Sequence, residues 1–241
     1  MPWPLPEAAA ERLALALDYP YAAPNESFLF AEGREQPIAA ADFDGRRPVI
    51  AHGSNRAPAQ LLRKFGAAAE IPVTYVWLEG YDVVYAAHVT RYGAISSTLQ
   101  RAPGCRVRVA LTWLTAGQLA CMHETEGAAS YPFGRLEGVA LEPEAGPAAR
   151  SLCCYVNAFG SLAEAGRAVG LALLRAEGRP HGACLQRDLQ ERLRARHHPV
   201  DALNDHVLAL IADERRRRAL AAKLRAEALP LDLPDFVKGA R

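Results

Sequence analysis

Apolar positions change their spacing twice along this chain. Residues 6–18 carry Ala8, Leu13, Leu15 and Leu17 in an Ala-rich stretch of helical character, and 19–26 follow as a segment punctuated by Pro and Asn. From Val49 onward short strand-like runs take over, at 73–78, 81–89, 94–99 and 106–114, separated by Gly80, Gly93 and Pro103-Gly104. Two further runs lie at 139–141 and 152–157. Strands this closely spaced predict an antiparallel sheet or a barrel. Among them Thr115 caps a short helix through Leu119 and Met122 that stops at Glu126-Gly127, with Gly127 placed as a left-handed terminator.

After Asn157 the expected texture is helical. Ser161-x-x-Glu164 has the form of a capping box, opening a helix that runs to Glu177 and stops at Gly178. Amphipathic helices are expected over 185–196 and 200–227, and 230–234 is a Pro-rich tail. Because helices follow the strands and do not alternate with them, the predicted class is α+β. The segments expected are an N-terminal extension packed on the core (1–46), a strand-rich core (47–158) and a C-terminal helical region (159–241).

The run Val49-Ile50-Ala51-His52-Gly53-Ser54-Asn55 ends a strand in a tight turn just before a helical segment at 58–65. Gly53 allows the chain to turn without a Cβ, Ser54 or Asn55 is placed to cap the helix, and free amides at such a turn suit a carboxylate. An ordinary capped strand-to-helix turn has the same local sequence.

Composition narrows the classes. With 241 residues and a formal charge of +1, the chain has surface enough to bury a core and lacks the basic bias of a nucleic-acid or membrane-surface binder. Five cysteines without a C-x-x-C pair suggest reduced thiols. Met1-Pro2-Trp3-Pro4 shows no secretory signal pattern, and no apolar run approaches membrane-spanning length, so a cytoplasmic protein is expected.

Gly53-Ser54-Asn55, the strand-rich middle and the helix end Met122-His123-Glu124-Thr125-Glu126-Gly127 together resemble the γ-glutamylcyclotransferase family, over roughly residues 47–158. That family carries a Y-G-S-N loop after its first strand and an L-D-x-x-E-G helix end whose glutamate does the chemistry. Here His52 stands at the loop tyrosine, Met122 at the leucine and His123 at the aspartate. The resemblance implies a small mixed β-barrel with short helices and added terminal helices. It implies cyclisation of a γ-glutamyl amine or peptide to 5-oxoproline, with Glu126 as general acid and base. The loop His52, Gly53, Ser54 and Asn55 would bind the substrate, its amides holding the α-carboxylate, and Tyr131 and Tyr155 would line the cavity. No metal or organic cofactor is required. The implied partner is a small γ-glutamyl compound, not nucleic acid or membrane, and no oligomeric state is indicated.

The chemistry suits these residue types. An α-amine with a pKa near about 8 must lose a proton before it attacks the γ-carbonyl, and a glutamate raised from about 4.3 by an apolar cavity would accept it. The alternative is a catalytically inactive small-molecule-binding module on the same fold, since His52 and His123 both fall within the two motifs. Other groups have blander expectations. Ser54 lacks the G-x-S-x-G elbow of a serine nucleophile, and His197, His198, Asp201 and His206 follow no metal-ligand spacing and are expected at the surface. Cys153 and Cys154 are expected on opposite faces of a strand, and the run 213–218 as a solvated helix face or, less simply, a contact for an acidic partner.

Overall fold

Residues 3–127, 129–149 and 151–239 are described in the computed structural model. Helix α1 (Ala9–Leu17) leads to strands β1 (Phe28–Ala31), β2 (Arg34–Pro37) and β3 (Arg47–Ala51), helix α2 (Pro58–Phe65) and two long strands, β4 (Ile71–Val89) and β5 (Ile95–Leu114). Helix α3 (Ala116–Glu126) and strands β6 (Phe133–Glu137), β7 (Leu141–Pro143) and β8 (Ser151–Tyr155) follow. Five two-residue strands come next: β9 (Ala163–Glu164), β10 (Arg167–Ala168), β11 (Gly170–Leu171), β12 (Ala176–Glu177) and β13 (Ala183–Cys184). Helices α4 (Gln186–His197), α5 (Leu203–Ala212) and α6 (Glu214–Ala226) and strand β14 (Phe236–Lys238) complete the order.

Strands β4 and β5 are rich in Val, Ile, Thr, Tyr and Trp, which fit a pleated surface buried on both sides. They form one antiparallel ladder, so the runs expected at 73–78 and 81–89 are a single strand. Gly80 and Gly104 interrupt it without ending it. Both take positive φ (78° and 80°), and the register slips between Glu79 and Tyr81, producing a bulged kink. The sheet runs in the order β13-β11-β4-β5-β3-β8-β6-β14, with β1 and β7 also on β4 and β12 on β5. Pairings β3–β8 and β11–β13 are parallel, so the sheet is mixed.

The class is α+β as expected, but the sheet is open. Its end strands β13 and β14 do not pair with each other among the described residues, and with two and three residues they offer few ladder bonds for closure. Side-chain alternation divides the core. Val49, Ala51, Val73 and Tyr75 face α2 and α3 with Leu61, Leu119 and Met122. Ile50, Val76, Leu78, Val83 and Tyr85 face the other way, with Leu189, Leu210, Leu220 and Leu224 of the C-terminal helices. Cys153 and Cys154 divide between the same two sides, and none of the five cysteines is in a disulfide.

Several expectations are corrected. Residues 161–177 are not a helix. Ser161 bridges Ala86 and Leu229, and its hydroxyl donates to Gln100 Oε1 at 2.8 Å instead of capping. Ala165 and Gly166, both at positive φ (49° and 73°), form the two-residue turn of the β9–β10 hairpin. The region 159–241 is therefore helical only from Gln186, and it supplies β11, β12 and β13 to the main sheet. The helix expected over 200–227 is two helices, because Asp213 turns extended and accepts the Arg216 amide at 3.1 Å as the α6 cap. The strands β1, β2, β6 and β14 were not anticipated. No helix among the described residues is long and apolar enough to cross a membrane.

Candidate functional site

Three local features bring the loop and the helix end together. Strand β3 delivers the chain to Gly53, where a side chain would run into the Tyr19 hydroxyl and lie 3.0 Å from Ser97 Oγ; close approach, not positive φ, requires glycine there. Ser54–Arg56 then forms a single 3-10 turn, and α2 starts at Pro58 after Ala57, which makes no side-chain cap. The expected capping by Ser54 or Asn55 is thus replaced. Asn55 instead sends Nδ2 to Glu126 Oε1 at 2.9 Å. The backbone N–H groups of Gly53, Ser54 and Asn55 donate no hydrogen bond among the described residues. Helix α3 is capped by Thr115, as expected, in a reciprocal pair with Gln118, and ends at Gly127 with φ 67°, which puts Glu126 in its last turn facing α2.

Glu126 meets Lys64, at the end of α2, in an ion pair that also involves Oε1; Oε2 carries no hydrogen bond among the described residues. The Lys64 and Glu126 side chains are 5% and 16% exposed, respectively, so water screens the pair poorly. Burial alone would raise the Glu126 carboxyl. The Lys64 ammonium, the hydrogen bonds from Asn55 and Lys64, and His52 together outweigh it and hold the group below the usual carboxylate range. The expected raised pKa is therefore reversed, because a cation lies where an apolar wall was expected.

His52 is buried, and both ring nitrogens are engaged inside the fold: Nε2 with the Tyr155 carbonyl at 2.8 Å and Nδ1 with Ser97 Oγ at 3.1 Å. The carbonyl can only accept, so Nε2 carries the proton and Nδ1 is the acceptor. Burial, opposed by the Tyr155 carbonyl and Glu126, lowers its pKa and keeps the ring neutral. Ser97 also bonds Tyr19 (Oγ to Oη 2.8 Å; N–H donating to Oη, 3.1 Å). His52 therefore ties β3, β5 and β8 together and offers the cleft no free ring nitrogen. The Ser–His contact is to Ser97, not Ser54, and Ser97 is buried beneath Tyr19.

Tyr131 and Tyr155 both line the cleft, as expected, with their hydroxyls occupied. Tyr131 donates to the Ser97 carbonyl at 3.1 Å, and Tyr155 bonds His123 Nδ1 at 2.7 Å. Burial drives both phenols upward, so neither ionises near neutral pH.

All seven residues expected at the site line one cleft of about 510 Å³. Its other walls were not anticipated. Trp3 and Tyr19 come from the N-terminal extension, Lys64 from α2, His88 and Arg91 from the β4–β5 end, and Arg217, Arg218 and Arg225 from α6. The run 213–218 is accordingly not simply a solvated face. His206 is also not at the surface: it is fully buried, and its ring lies 4.9 Å from that of His198. Among the described residues no three His, Cys, Asp or Glu side chains are grouped to hold a metal ion.

The chain matches no protein-family model, no curated protein and no solved structure. The site's chemistry is therefore argued from its geometry. An unpaired set of loop amides, a carboxylate with one free oxygen and an enclosing wall of tyrosines suit a small zwitterion bearing an ammonium and a carboxylate.

Proposed function

We propose that this chain is a γ-glutamylcyclotransferase-like protein, with the barrel-type fold of that family in an opened form, and that it converts a γ-glutamyl amine or peptide to 5-oxoproline. The observation that carries this reading is the meeting of Asn55 and Glu126, 71 positions apart and 2.9 Å in space, within a cleft of substrate size. The loop amides of Gly53, Ser54 and Asn55 would hold the α-carboxylate. Asn55 Oδ1, buried without a partner among the described residues, and Glu126 Oε2 would receive the α-ammonium. Glu126 takes a proton from that ammonium, the freed amine attacks the γ-carbonyl carbon, and a new C–N bond closes the five-membered ring. The old amide C–N bond then breaks as Glu126 returns its proton to the departing nitrogen, and the ring nitrogen gives up its second hydrogen as a proton, which the released amine takes to leave as an ammonium.

The test is incubation with a library of γ-glutamyl compounds and detection of 5-oxoproline by mass spectrometry. Glu126→Gln keeps the shape and the Asn55 contact region but cannot accept a proton, and is expected to lower turnover by roughly a hundredfold or more. Full activity in Glu126→Gln would sink the assignment.

A second reading, a binding module without turnover, is favoured by one specific feature. Lys64 already occupies Glu126 and makes it a weak base. Ligand-induced thermal stabilisation with no product from any γ-glutamyl compound would select this reading, and measurable Glu126-dependent turnover would remove it.

A further inference from the structure

The wall of the cleft formed by α6 and the β4–β5 end carries more positive charge than its neighbours neutralise. Arg218 pairs with Glu214 at 2.6 Å. Arg91, Arg217 and Arg225 meet no carboxylate among the described residues. Arg91 donates to the Trp3 carbonyl and lies 5.0 Å from the Trp3 ring centre; Arg217 Nη1 donates to the carbonyls of Leu210 and Ile211 at 2.8 and 3.3 Å; Arg225 lies 3.3 Å over the Phe159 ring. Burial lowers the pKa of Arg91 and of Arg225, and Arg217 lowers that of Arg91 further, as expected for neighbouring cations without a counter-charge.

His88 stands in the same wall, its ring stacked 5.6 Å from Phe159. Its Nδ1 is buried and has no partner among the described residues. Burial, Arg225 and Arg217 push its pKa down to about 4, so the ring is neutral and one more polar atom here awaits a partner.

Like charges held together without a counter-ion oppose folding, and an anion would relieve them. The substrate's α-carboxylate does not serve, because in the proposed pose it sits on the Gly53–Asn55 amides. A single further carboxylate would leave two of the three guanidinium charges uncompensated, and a dianion leaves one. We propose that Arg91, Arg217, Arg225 and His88 form an anion subsite, and that the amine released from the γ-glutamyl compound carries a dianion, either two carboxylates or a phosphate. The identity of that amine rests on the γ-glutamyl reading of the Glu126 end; the anion subsite stands on the arginines alone.

Four probes share the γ-glutamyl group and differ in the amine: alaninamide (neutral), alanine (one charge), glutamate (two carboxylates) and phosphoethanolamine (a phosphate). Dissociation constants are measured by calorimetry and kcat/KM by 5-oxoproline release. Affinity is expected to improve roughly tenfold or more from the neutral to the better dianionic probe, with the glutamate and phosphoethanolamine arms separating the two sources. The gain should shrink between about 50 and 500 mM salt. It should fall to within about twofold in Arg217→Gln/Arg225→Gln, whose folding is checked by circular dichroism. If that variant does not fold, the salt series on the unaltered protein decides.

Equal affinity for all four probes, or a preference indifferent to salt, overturns the subsite. Glu126-dependent turnover without charge preference rejects the subsite and keeps the cyclisation reading. Charge-graded binding with no turnover rejects cyclisation and keeps the subsite.

Discussion

At the scale of single residues, Lys64 is the side chain that most changes what the site can do. Its ammonium and the Glu126 carboxylate are shielded from water and held by Asn55 as well. A carboxyl whose folded value is lowered stabilises the fold above its unfolded value, near 4.5, and that contribution is lost as pH falls through the lower folded value. Lys64→Met should reverse the sign. With the cation gone, burial dominates, the Glu126 value rises above 4.5, and stability is lost as pH climbs through that region instead. At pH 7 the variant is expected to be less stable by about 2–4 kcal/mol, somewhat below the loss for breaking a fully buried pair. Carbon-detected NMR titration of the Glu126 carboxyl and urea unfolding at pH 4 and 7 check both parts; a Glu126 value still below 4.5 in Lys64→Met would contradict the account. The Gly53-Ser54-Asn55 turn and the Glu126-Gly127 helix end were legible in the sequence because turns and helix stops use particular residues in particular places. Lys64 was not, because nothing local says that the end of α2 faces the end of α3.

Elements follow the same division. Helix α3 was legible through its Thr115 cap and its terminal glycine, and α2 through its bounds, both being decided within a few residues. Residues 161–177 went wrong for a physical reason: Ser161-x-x-Glu164 has the spacing of a capping box, but Ser161 is drawn into bridges with Ala86 and Leu229, which are distant in sequence. Tertiary pairing overrides local preference here, and Glu164 binds Arg192 of α4 at 2.9 Å instead of reaching back to Ser161. The hairpin that replaces the helix leaves a measurable trace. Its first turn residue, Ala165, holds φ 49° in an exposed position, a conformation that alanine adopts reluctantly and asparagine tolerates. Ala165→Asn is therefore expected to stabilise the protein by about 0.5–1 kcal/mol, read as a higher urea midpoint with an unchanged slope. If 161–177 were helical, the same change would be neutral or destabilising, since asparagine is the poorer helix former.

For the whole molecule, both chain ends close on the strand-rich middle. The N-terminal extension gives β1 to β4 and Trp3 and Tyr19 to the cleft, while α6 gives the arginine wall and Leu220 and Leu224 to the core. The open sheet is thus covered by segments whose arrival could not be read from their own patterns. One result is a set of histidines enclosed without charge. His52 is lowered by burial, and His88 and His206 are brought down to about 4, burial being the largest cause in each. His206 is fully buried with neither ring nitrogen bonded among the described residues. As pH falls from 6.5 toward 4 the unfolded chain binds protons at these rings and the folded chain does not, so stability must fall with pH over that window. Each ring contributes up to about 1.4 kcal/mol per pH unit, and His88 and His206 together are expected to remove roughly 2–4 kcal/mol between pH 7 and pH 5. That is a large part of the stability of an ordinary domain. His206→Leu should abolish about half of the loss, because leucine occupies the buried site without a proton to exclude. Urea unfolding free energies for both proteins at the two pH values decide the matter, and a loss equal in the two would show that His206 is not one of the groups responsible.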